Sequence, residues 1–129
     1  MVASSHFSIV NKTRGRVPRL PFAEMKKNIL GNSYDLSLAL VGEVESKKIT
    51  RKRKGKNTPS NVLSFPLSKD SGEIVLCLSV ARTQAALYHM TPRAFIARLF
   101  IHGMLHLKGL PHGATMDHRE RETLTRFRI

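Results

Sequence analysis

The sequence predicts an α+β fold: a single small domain over residues 1–129, built as a four-stranded mixed sheet with helices packed on it. Three observations predict this. Short apolar runs with strand-like alternation occupy the first two thirds of the chain, helical runs with start and stop signals lie between them, and one long apolar helical segment follows Thr91-Pro92. At 129 residues and 41% hydrophobic content the chain is long enough for one modest core.

The elements follow in order. Residues 6–10 (HFSIV) form a first strand, and a basic turn from Asn11 to Arg16 leads to Pro18 and Pro21. FAEMKKNIL after Pro21 is a helix with Phe22, Met25 and Ile29 on one side and Gly31-Asn32 as its stop. Tyr34, Leu36, Leu38 and Leu40 alternate with smaller or polar residues, the period-2 pattern of a strand with one buried face. Glu43 to Lys54 is a short helix anchored by Val44 and Ile49, and residues 61–66 a third strand closed by Pro66. Ser71-Gly72 is expected to turn into a fourth, central strand over 73–78. Ser79 then caps a helix over VARTQAALYHM. Thr91 caps the spine helix, RAFIARLFIHGMLHLK, with Pro92 in its first turn. A weakly amphipathic helix from about Thr115 to Arg128 ends the chain.

Within the spine helix and the turn after it lie His102, His106 and His112, spaced H-x3-H-x5-H. The first pair is four apart, one turn above the other on a single helix face. Phe95, Leu99, His102 and His106 form one stripe, so the imidazoles continue an apolar face. Gly109 and Pro111 break the helix and can swing His112 back. Including Gly109 the pattern is H-x3-H-x2-G-x2-H, that of metzincin-type zinc sites. It implies one zinc ion on three imidazoles, with water in the open fourth position. Zinc proteases of this kind carry a glutamate directly after the first histidine as general base, whereas this chain has Gly103 there and no carboxylate within the motif. A glycine inside a helix costs roughly 1 kcal/mol relative to alanine, so Gly103 implies a close approach of backbone or substrate.

Charge is the second clue. Twenty-two lysines and arginines against nine acids give a formal +13, and the run KKITRKRKGK over 47–56 concentrates the excess. That balance points to a polyanionic partner. The run lacks the aromatic and large aliphatic anchors of a membrane-surface helix, which favours nucleic acid over membrane. Cys77, the only cysteine, sits in an apolar run and has no internal disulfide partner; with no apolar leader at the N-terminus and no membrane-length segment, this predicts a cytoplasmic protein.

Two motifs carry a family resemblance. The stretch His102-Gly-Met-Leu-His-Leu-Lys-Gly-Leu-Pro-His112 resembles H-G-x-L-H-L-x-G-x-D-H of the YbeY family of bacterial ribosomal-RNA maturation factors. Ser60-Asn-Val-Leu-Ser-Phe-Pro66 resembles the same family's T-[DN]-V-L-S-F-P, and the two stand in the right order within a likeness spanning Tyr34 to His118. The resemblance implies an α+β fold, zinc on the three histidines, and a metal-dependent endoribonuclease. Its substrate would be single-stranded ribosomal RNA, in maturation of the small-subunit 3′ end and on pre-ribosomal particles. Two positions depart from the pattern. Pro111 replaces the acid before the third histidine, and the family's active arginine falls on Lys54, with Arg53 adjacent.

Lys54 or Arg53 is therefore the group expected to meet the scissile phosphate as charge grows on it. No side chain in the motif offers a general base, so the nucleophile is expected to be water or the RNA's own 2′-hydroxyl. Two other functions compete: a non-catalytic ribosome assembly factor that binds RNA and uses zinc to hold its fold, and a small metalloprotease, which Gly103 disfavours. His6, His89 and His118 are expected at the surface, and Ser64 as a strand residue rather than a nucleophile.

Overall fold

The computed structural model describes residues 2–4, as backbone, and 6–129. The elements are β1 (Val2–Ser4), β2 (Phe7–Asn11), α1 (Phe22–Leu30), β3 (Asp35–Val41), α2 (Glu43–Lys54), β4 (Val62–Ser68), β5 (Ser71–Cys77), α3 (Leu78–Ala85), a 3-10 turn (Ala86–Tyr88), α4 (Pro92–Leu107) and α5 (Ala114–Arg126). The sheet order is β1-β2-β3-β5-β4. Strands β2, β3 and β5 are mutually parallel, and β4 runs antiparallel to β5 as the second arm of a hairpin. These are the four expected strands in a mixed sheet. The short β1 adds an antiparallel edge beside β2.

Two apolar layers follow from the period-2 alternation of the strands. Leu36, Leu38, Leu40, Ile74 and Leu76 face α1 and α4 in the main core. Ala39, Val41, Val75 and Cys77 form a smaller layer on the other face, with Ile49 of α2 packed against it. The C-terminal half of β3 is thus buried on both faces, where its alternation predicts one. Helix α4 is buried nearly all round, with Phe100, Ile101, Met104 and Leu105 fully enclosed. It starts as expected: Thr91 Oγ1 accepts from the Ala94 amide at 3.1 Å, and Pro92 occupies the first turn.

Three local expectations are corrected. Val44 is 73% exposed and anchors nothing. The buried face of α2 carries Ser46 and Thr50 instead, whose hydroxyls grip Ser60: Ser46 Oγ donates to the Ser60 carbonyl (2.8 Å) and accepts from its amide (2.9 Å), while the Thr50 and Ser60 hydroxyls meet at 2.8 Å. The hairpin turn lies at Lys69-Asp70, and Ser71-Gly72 are already in β5. Gly72 is there for space: a Cβ would meet Tyr34 Oη at 2.6 Å and a Leu107 methyl at 2.9 Å. Ser79 lies within α3 and caps nothing, since that helix starts directly off β5 with Cys77 in the cap position. Among the described residues no helix is long and apolar enough to cross a membrane.

Candidate metal centre

The last turns of α4 carry His102 and His106, and the turn after it returns His112 to them. Leu110 N donates to the Leu105 carbonyl (3.0 Å) and Gly109 N to the His106 carbonyl (2.9 Å), with Gly109 at φ +97°. This is the Schellman arrangement, which requires a left-handed residue at the position Gly109 fills. A side chain there would be strained, and the path to His112 would shift.

The three imidazoles converge. Ring centroids lie 4.6 Å (His102–His106), 4.9 Å (His102–His112) and 4.3 Å (His106–His112) apart. One nitrogen from each lies within 4.8 Å of the others. Nitrogens around one tetrahedral zinc at ~2.0–2.1 Å sit roughly 3.3 Å apart, so modest closure of the rings brings them onto one ion. The expected triad is positioned to hold a metal.

A carboxylate that no sequence motif contains completes the arrangement. Glu120 of α5 is buried, accepting from His102 Nδ1 at 2.6 Å through Oε2 and from Arg98 Nε at 2.8 Å through Oε1. Burial alone would raise its pKa; the hydrogen bonds from His102 and Arg98 outweigh that and hold it below the usual value. With the proton of His102 fixed on Nδ1 by an ionised carboxylate, Nε2 is left as the nitrogen that could ligate, the outer-shell device common to metal-binding histidines. The pKa of His106 is lowered, first by burial and then by His102 and His112 beside it; Glu120 opposes this and Lys54 adds to it. A neutral imidazole is the form a metal needs. The donor set, the His102 tautomer and the direction of the His106 shift fit a metal ion.

Glu120 left one signal in the sequence. Met116, Glu120, Thr123 and Leu124 share the buried face of α5, so an acid stands where the stripe calls for an apolar residue.

A cavity of about 460 Å³ opens over the three histidines, walled by Asn61 and by β4 from Val62 to Pro66, and reached by Lys54. Helix α2 ends at Gly55 in the left-handed conformation (φ +70°), immediately after Lys54. Arg53 lies over the ring of Phe65, a wall residue, at 4.9 Å from its centroid. The two basic candidates thus differ in placement: Lys54 lines the cavity, and Arg53 is stacked at its edge. Ser64 lies in β4, the expected strand, and donates to the Gly103 carbonyl at 3.2 Å, a strand-to-helix tie. His118 is exposed and faces Glu122 at 3.6 Å, outside the centre.

Gly103 is explained by close approach of the sheet, because a Cβ there would meet Ser64 Oγ at 2.9 Å and Ile74 Cδ1 at 3.1 Å. Gly103→Ala is expected to break the Ser64 tie and press β4 off α4. The overpacking cost of ~1–3 kcal/mol is partly offset by ~1 kcal/mol of better helix propensity. A net loss of about 1 kcal/mol, read as a drop of roughly 4 °C in Tm, checks this; an unchanged or raised Tm would contradict it.

A family model described as Endoribonuclease YbeY matches residues 10–128. The chain belongs to that family. Among YbeY relatives, proteins named Endoribonuclease YbeY from Aromatoleum aromaticum and Cupriavidus necator are 38% identical over 98 residues and 31% identical over 120. The alignments cover 74% and 89% of this chain but 64% and 61% of those proteins, so the chain spans a little over three fifths of their length. The fold is similar to the solution structure of a protein from Thermotoga maritima, with TM-score 0.63 at 23% identity over 95% of this chain and 91% of that one.

Proposed function

We propose that residues 1–129 act as one YbeY-like hydrolase domain, a zinc-dependent endoribonuclease that cuts single-stranded RNA. The substrate would be ribosomal RNA, met on pre-ribosomal particles in the cytoplasm, with the small-subunit 3′ end as the site of maturation. The observation that carries this reading is the convergence of three imidazoles beneath a cavity that Lys54 enters. Membership in a family whose relatives bear the name endoribonuclease supports it.

His102, His106 and His112 would hold one zinc. When bound, the ion supplies Lewis-acid chemistry, polarising a phosphoryl oxygen and bringing the pKa of water toward about 7. The chain's own residues do the rest. Glu120 and Arg98 hold the His102 ring, and the Gly109 turn holds His112. Lys54 places a cation where phosphate charge grows, and Arg53 with the rest of α2 extends that field along the approach. Glu120 has both oxygens engaged, so it is no free general base. The protease route therefore still lacks one, and water or the RNA 2′-hydroxyl remains the nucleophile.

The test is cleavage of a single-stranded RNA oligomer by purified protein, with and without chelator. Cutting that stops with chelator and returns with zinc is expected, with Lys54→Ala about 10²–10³-fold slower. Equal cutting in both arms would reject the metal's role, and salt-sensitive binding with no cutting would make this a non-catalytic RNA-binding factor.

A further inference from the structure

A second cavity, of about 260 Å³, adjoins the metal centre, and Asn61, Val62 and His102 line both. Its remaining wall differs in chemistry from the first. Tyr88 lines it, 56% exposed, with its ring stacked on buried Phe95 at 4.9 Å and 18° between planes. Asp117 and the Asn61 carbonyl add acceptors, since the Asn61 amide already donates to Gln84 Oε1 at 2.8 Å. Arg98, the one Lys or Arg among the described residues lining this cavity, is occupied by Glu120 at 2.8 Å and Asp117 at 3.9 Å. One cavity therefore offers a lysine and the three imidazoles; its neighbour offers an aromatic ring and acceptors, with Arg98 already paired to two carboxylates.

We propose that this second cavity is a nucleobase subsite, taking the base next to the phosphate held over the histidines and favouring bases with an exocyclic amino group. The proposal rests on the RNA reading above and adds where the chain is gripped. A phosphate finds no uncommitted Lys or Arg among the described lining residues, since Arg98 is paired with Glu120 and Asp117, whereas a base is uncharged and presents a π face to Tyr88. Amino groups of cytosine, adenine and guanine can donate to Asp117 and Asn61; uracil has none. The volume lies below the ~300–1,000 Å³ of sites for drug-sized ligands, which suits one ring system rather than a whole nucleotide. Tyr88 is already ordered against Phe95, so stacking on it immobilises no further side chain.

The experiment compares zinc-loaded protein on RNA oligomers that differ at one nucleotide beside the cut bond: cytidine, uridine or an abasic residue. Both cleavage and binding by fluorescence anisotropy are read. Wild type is expected to favour cytidine over the abasic oligomer by ~10-fold or more, the scale of one base–aromatic stack, with uridine between. Tyr88→Leu should erase the stacking preference, Tyr88→Phe should keep it, and Asp117→Ala should narrow the gap between cytidine and uridine. Thermal melts establish that each variant folds, and the abasic comparison needs no variant. Equal treatment of cytidine and abasic oligomers at every position, or Tyr88→Leu with its preference intact, would overturn the subsite. Protein that cuts neither oligomer yet binds the cytidine one ~10-fold tighter would remove the nuclease reading and leave the subsite standing.

Discussion

Replacing Glu120 by alanine is expected to loosen the metal centre and destabilise the fold together. The carboxylate is 2% exposed and receives two charge-assisted hydrogen bonds, from His102 and Arg98. Removing it leaves the Arg98 guanidinium with the longer contact to Asp117 (3.9 Å) and the His102 ring free to turn. Breaking a fully buried ion pair costs ~3–5 kcal/mol. The Arg98 side chain keeps 31% of its exposure, and water can recover part of that loss. About 2 kcal/mol remains, equivalent to a Tm roughly 6–10 °C lower. Zinc affinity should fall ~10–100-fold, as for other outer-shell partners of metal-binding histidines. Glu120→Gln, which keeps the shape and one acceptor, should lie between. Melting curves of metal-free protein and zinc competition against a chromogenic chelator check both effects. A variant with wild-type Tm and zinc affinity would show that the carboxylate anchors nothing.

His106→Ala should act on the metal alone. His106 lies at the floor of the open cavity, and its pKa is depressed by burial and by its two imidazole neighbours. No hydrogen bond ties it into the core among the described contacts of the site. Its loss should move the Tm of metal-free protein by no more than about 4 °C, ~1 kcal/mol at this size. The variant should nevertheless bind no zinc at equimolar concentration and cut RNA no faster than chelated wild type. An unfolded variant would instead give zinc a structural role, as in an assembly factor held together by its metal. Glu120 and His106 thus separate two functions of the same few ångströms, scaffold and ligand.

Much of this site was legible because its signals are local. His102 and His106 share a helix face by spacing alone, and Gly109 announces the turn that returns His112. Helix α2 ends after Lys54, the bound the sequence predicts, because Gly55 takes the left-handed cap. Distance in sequence hid Glu120. It reaches His102 from eighteen residues away, on a helix whose polar composition masks its buried stripe. Polar anchoring hid the inner face of α2: Ser46 and Thr50 are buried for their bonds to Ser60, which hydropathy does not register, while apolar Val44 faces solvent. Gly72 imitated a turn residue, although its role is to let Tyr34 and Leu107 close on the strand. The second face of β3 was missed for a related reason. Covering by α2 is a tertiary event, and the strand's own alternation carries no trace of it.

The most direct measurement is metal content and coordination together: zinc per chain after purification without added metal, with X-ray absorption at the zinc edge. One zinc per chain is expected, with three nitrogen ligands at ~2.0–2.1 Å, one oxygen and no sulfur. Its loss in His106→Ala should follow. Protein that takes up no zinc, or holds it equally well without His106, would contradict a metal centre built on the end of α4 and the turn that follows.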